Sequence, residues 1–136
     1  MPRYTAIGTL LGELFGYLGQ QGVSPVGPCA ATWHDPGYKE SDVDSEASIP
    51  IAGSPSGNKR VKIYELPAVE TMASVIHHGS YSRLHDAYGA ILSWIEANGY
   101  TVAGPNREIY LESKGDGNQD DETCVTELQF PVVKAA

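Results

Sequence analysis

Apolar side chains recur at helical spacing twice along this chain. Leu10, Leu11, Leu14, Phe15 and Leu18 form one stripe, and Leu84, Ala87, Tyr88, Ile91 and Ile95 form the other. Just past each stripe stands a glycine, Gly22 and Gly99, where a left-handed helix cap favours a residue without a Cβ. Gly27-Pro28 and Gly104-Pro105 then punctuate the entry to extended segments. In the second half, "REIYLE" and "TCVTELQF" read as paired strands joined by an acidic loop, Lys114 to Glu122. The first half predicts the same pair, joined through Asp35 to Asp42. Ahead of the second helix, "RVKIYEL" and "AVETMASVIHH" predict two further strands around Pro67.

The two halves are copies of each other. At one offset (104 − 27 = 77), Tyr4 matches Tyr81, Leu18 matches Ile95, Gly22 matches Gly99, and Trp33 matches Tyr110. After a slightly longer loop, Glu46 and Pro50 match Glu127 and Pro131 (131 − 50 = 81). The chain therefore reads as one domain over residues 1–136: a first repeat over about 1–52, a connector at 53–60, and a second repeat over about 61–136. The predicted fold is α+β, with tandem strand-helix-strand-strand modules about a pseudo-two-fold axis. Their antiparallel sheet forms a ligand groove, with the helices on its opposite face. The first module lacks its leading strands. Two explanations present themselves: a longer native chain, or a homodimer that completes the sheet through the unpaired edge.

Strand alternation selects candidate site residues. Thr126, Leu128 and Phe130 share the face expected to meet a helix, which leaves Glu127 on the other. With Ile109 and Leu111 assigned to the helix side, Glu108, Tyr110 and Glu112 look the opposite way. By the same logic Ala47 and Ile49 point inward and Glu46 outward, with Trp33 at the Tyr110 position. On this reading Glu46, Glu127, Trp33 and Tyr110 line one groove. Aromatic faces attract cations by about 0.5–2 kcal/mol each, and a sheltered carboxylate adds charge complementarity. The plainer alternative is that each glutamate is solvated on an exposed strand face.

Composition narrows the function classes. A net charge of −8 on 136 residues offers no footprint for nucleic acid and favours cationic small molecules. No apolar run is long enough to span a membrane, and the N-terminus lacks the layout of a signal peptide. Cys29 and Cys124 occupy non-equivalent places in the two copies, so they read as free core thiols of a cytoplasmic protein. His77 and His78, adjacent on a strand, point to opposite faces and cannot share a metal. No nucleophile elbow, phosphate loop, calcium loop or cofactor motif is present. Tyr88 and Trp94, at helical spacing, read as core.

The text from His77 to Ser113, together with "VTELQFPV", resembles the GyrI-like superfamily of small-molecule-binding domains. This is also the effector-binding domain of many bacterial MerR- and AraC-type regulators. The resemblance rests on Gly79-Ser-Tyr81, the Gly104-Pro105 turn, Glu108-x-Tyr110 and Thr126-Glu127-x-x-x-Pro131. It implies binding of bulky, aromatic, often cationic compounds, with Glu127 at the pocket floor and Tyr110 and Trp33 as walls; Glu46 and Glu108 complete the expected ligand set. Two alternatives accompany it. One is a hydrolase opening cyclopropane-containing natural products with Glu127 and Tyr110, and the other is a gyrase-protecting interaction protein. No DNA-binding helix-turn-helix is present, so DNA contact by this chain is not expected.

Overall fold

The computed structural model describes residues 3–34, 44–53, 55, 57, 58, 60–63, 69–112 and 122–135, with side chains from Ala6 onward. Helix α1 (Arg3–Gln21) leads to strands β1 (Ala30–Trp33) and β2 (Ser45–Ser48). The second half contains β3 (Met72–His78), a 3-10 turn at Tyr81–Arg83, α2 (Leu84–Ala97), β4 (Tyr100–Val102), β5 (Asn106–Glu112) and β6 (Val125–Lys134). The strands form an antiparallel sheet in the order β2-β1-β5-β6-β3, and β4 pairs with the end of β6. Gly22 (φ 65°) and Gly99 (φ 77°) take the left-handed conformation past the two helices, which a Cβ would strain.

Strand register locates the pseudo-two-fold axis. Ala31 pairs with Glu108 and Trp33 with Asn106, and the Tyr110 amide donates to the Cys29 carbonyl. The Ala31–Glu108 pair maps onto itself and the Trp33–Asn106 pair onto Tyr110–Cys29, since 108 − 31, 110 − 33 and 106 − 29 all equal 77. The axis therefore passes through the Ala31–Glu108 pair. Outward from it, β2 flanks β1 as β6 flanks β5. Beyond β6 lies β3, whereas β2 ends the sheet among the described residues.

Both helices cover the same face. Ile7, Leu10 and Leu11 of α1 pack with Ala31, Trp33 and Ala47. Leu84, Tyr88, Ile91 and Ile95 of α2 pack with Ala73, Leu128, Phe130 and Val132. Tyr17, Leu18 and Val61 form a third cluster with Ile49 and Ile51. This layer fixes the inner face of the sheet, and it places the Ala31–Glu108 pair in the seam between the helices.

Several expectations need correction. Val61, Lys62 and Ile63 are not in a strand, so the described residues of the second repeat hold one strand ahead of α2 rather than two; residues 64–68 lie outside the described residues. The loops from Asp35 to Asp42 and from Lys114 to Asp121 lie outside them as well. Strand β4, three residues long, carried no periodic signal. Phe15 is 47% exposed and Trp94 53%; the Trp94 ring stacks on Tyr100 at 6.4 Å instead of entering the core. Helical spacing names a face, but the rim of that face is left to solvent when the sheet beneath it ends.

Candidate functional site

The alternation along β5 is the reverse of that expected. Glu108 pairs with Leu128 and Tyr110 with Thr126, so these four share the helix side. Ile109 instead pairs with Glu127 and faces outward. A bulge at Leu111 shifts the register, and Glu112 then pairs with Val125 on the outer face. Leu111 itself is 40% exposed. Apolar content misled here because the inner positions of β5 are polar.

The consequence is a divided set of candidates. Glu127 stands on the outer face, flanked by Ile109 and Ile76. Glu46 is also on that face, exposed, with the His34 Nε2 3.2 Å from its Oε1. Trp33, Tyr110 and Glu108 are on the helix side, so no single groove holds all five residues. Trp33 and Tyr110 also sit at opposite ends of the β1–β5 pairing, about four residues or 13 Å apart. Trp33 is 1% exposed, within the cluster under α1.

What the fold does assemble is a buried polar cluster centred on Glu108, which is 0% exposed. Its Oε2 accepts from the Tyr88 hydroxyl at 2.5 Å, and its Oε1 accepts from the Tyr110 hydroxyl at 2.9 Å. The Asn106 Nδ2 donates to the Tyr88 hydroxyl at 2.8 Å. Tyr81, on the turn before α2, meets Tyr110 edge-on with ring centroids 5.7 Å apart. Tyr81 and Tyr110 are half-buried, so aromatic surface connects the acid to the outside.

The duplication shows how far this cluster departs from plain packing. At the offset of 77, Glu108, Tyr88 and Asn106 correspond to Ala31, Leu11 and Cys29. The first copy fills the equivalent space with apolar groups or a thiol; burial pushes the Cys29 thiol above its ordinary value. Tyr88, Asn106 and Tyr81 are members that reasoning from periodicity passed over. The paired change Leu11-to-Tyr88 and Ala31-to-Glu108 between copies is the sequence signal for Tyr88.

Nearby, Glu122 closes the corner between β3 and the start of β6. Its Oε2 accepts from the Ser80 amide at 3.2 Å and from the Arg83 guanidinium at 2.7 Å. The Arg83 guanidinium, with smaller help from the Ser80 amide, holds the Glu122 carboxyl below its ordinary value. Gly79 makes room for this latch: a Cβ there would lie 2.6 Å from Arg83 Nη2. A shallow surface groove lined by Val69, Thr71, Tyr100, Ala103 and Pro131 lies at the other end of β6 and includes none of the Glu108 cluster.

A model of the GyrI-like small molecule binding domain matches residues 2–133. The chain belongs to that family. No curated protein matches it. Among solved structures, the crystal structure of the EcmrR C-terminal domain is 30% identical with a TM-score of 0.77, covering 90% of this chain and 82% of that one. A cryo-EM structure of an EcmrR–DNA complex in EcmrR-RPo is 28% identical with a TM-score of 0.85, over 98% of this chain. This GyrI-like chain spans about half (51%) of the EcmrR chain in that complex. The α+β fold with its open antiparallel sheet and two helices is thus that of the EcmrR C-terminal domain. Among the described residues no helix is long and apolar enough to cross a membrane.

Proposed function

We propose that this GyrI-like domain binds flat aromatic cations in the seam between α1 and α2, with Glu108 as the charge partner and Tyr110 and Tyr81 as the aromatic surface. The observation that carries the reading is a fully buried acid on the pseudo-two-fold axis, accepting from two tyrosine hydroxyls where the first copy has alanine. A cation reaching Glu108 exchanges a hydroxyl donor for a full charge, and tyrosine faces add about 0.5–2 kcal/mol each. In this reading Glu108 takes the role expected of Glu127, and the sandwich between Trp33 and Tyr110 is dropped.

The domain serves, in this proposal, as the sensing part of a DNA-binding cytoplasmic regulator, by likeness to EcmrR, which was solved in complex with DNA. DNA contact would fall to other parts of such a protein, since the net charge of −8 repels phosphates. A homodimer through the outer edge of β2 is a further part of the proposal, and a concentration-independent monomer mass would remove it.

The test is fluorescence titration with ethidium and with neutral 6-phenylphenanthridine. Glu108→Gln weakens ethidium by roughly 10- to 100-fold, the loss of a charge-assisted contact of about 1.5–3 kcal/mol. It leaves the neutral probe within about twofold, and Glu127→Gln changes neither. Equal losses for both probes would make Glu108 a structural residue only. Mass spectrometry of the recovered compound separates binding from turnover.

A further inference from the structure

One buried polar atom of this neighbourhood is left without a hydrogen bond. Thr126 is 0% exposed and its Oγ1 has no hydrogen-bond partner among the described residues. Its two cross-strand neighbours on the helix side are Tyr110 on β5 and His77 on β3. Neither hydrogen-bonds it: Tyr110 donates to Glu108, and the His77 Nε2 lies 3.1 Å from the Ser80 carbonyl. An isolated buried hydroxyl destabilises a fold by about 1–3 kcal/mol. Valine has the same shape and the same preference for a strand without that cost. With no protein partner for the hydroxyl among the described residues, valine would suit the packing of this position better.

Position supplies a reason for the hydroxyl. Thr126 is the diagonal neighbour of Glu108 across the β5–β6 pairing, about 7–8 Å away between backbones, with Tyr110 between them. At the later offset of 81, Thr126 corresponds to Ser45, which pairs with Trp33 as Thr126 pairs with Tyr110. Both copies thus set a hydroxyl beside the large aromatic. Ser45 is half-buried at the sheet's end strand among the described residues, whereas Thr126 is buried.

We infer that the Thr126 hydroxyl is a ligand contact: it hydrogen-bonds a polar substituent carried by the aromatic cation whose charge is met by Glu108. This deepens the function proposed above and rests on it. The ligand class becomes narrower, namely a flat cation with a donor or acceptor group at its periphery, spanning from Glu108 past the Tyr110 ring to Thr126.

The experiment compares ethidium, which carries two aromatic amines, with 5-ethyl-6-phenylphenanthridinium, the same cation without them. Against these, wild type, Thr126→Val, Thr126→Ser and Glu108→Gln are titrated and melted. Thr126→Val is expected to raise the melting temperature by a few degrees and to weaken ethidium about three- to tenfold. Binding of the amine-free cation stays unchanged, and Thr126→Ser retains wild-type affinity for ethidium. Unchanged ethidium affinity in Thr126→Val, with Glu108→Gln still weakening both cations, would overturn the Thr126 contact and leave the Glu108 site standing. Equal weakening of both cations by Thr126→Val would also overturn it, as a packing effect. If wild type binds neither cation, the Glu108 site itself falls and this inference with it.

Discussion

Removing the Tyr88 hydroxyl tests whether the buried cluster is energetically coupled. Tyr88→Phe keeps the ring and its edge-on contact with Phe130, whose centroid is 5.7 Å away, so no cavity is opened. It deletes a donor 2.5 Å from Glu108 Oε2 and an acceptor 2.8 Å from Asn106 Nδ2. Both partners are buried, and little water can reach either. A hydrogen bond to a charged group contributes about 1.5–3 kcal/mol, and a stranded buried amide donor adds roughly 1 kcal/mol, which places the cost near 2.5–4 kcal/mol. At about 2.1 cal/mol/K per residue, 136 residues unfold with an entropy near 0.29 kcal/mol/K. The melting temperature should then fall by roughly 9–14 °C. Tyr110→Phe removes a longer bond whose donor sits on a half-buried rather than a buried ring, so it should cost less, about 1 kcal/mol or 3 °C. Calorimetry on the two variants gives the ranking directly. A Tyr88→Phe loss below 3 °C, or one smaller than that of Tyr110→Phe, would refute the coupling.

Other consequences can be checked alongside it. Pairing Tyr88→Phe with Glu108→Gln should cost about 1–2 kcal/mol less than the sum of the single changes, measured by denaturant unfolding as a double-mutant cycle. Glu122→Gln should lower the melting temperature at neutral pH. The Glu122 carboxyl titrates below its ordinary 4.5 in the folded state, so its contribution is full above that value and disappears as pH falls through the folded one. Melts from pH 7 to pH 3 should therefore show the wild-type and variant curves converging on the acid side. Gly79→Ala forces a Cβ into a position at φ 135° that is 2.6 Å from Arg83 Nη2. It should cost about 1–3 kcal/mol, read by the same melts.

Much of the architecture was legible in the chain's own text. Helical stripes ending at Gly22 and Gly99, and the repeat at an offset of 77, predicted two copies of one helix-and-strands unit about a pseudo-dyad, because periodicity and turn chemistry are local properties. Alternation also placed Thr126, Leu128 and Phe130 inward, since that strand's two faces differ sharply in polarity. On β5 the same reasoning reversed the faces. Ile109 and Leu111 look like core residues, but strand pairing to Ala31 and Leu128 fixes the phase, and it turns Glu108 inward. A local pattern cannot reveal that choice, because a buried acid is tolerable only when distant donors meet it. Those donors, Tyr88 on α2 and Tyr110 two residues along the strand, converge only in the folded sheet-and-helix layer. Sequence alone thus determined the elements and their duplication, and tertiary pairing decided which glutamate is enclosed.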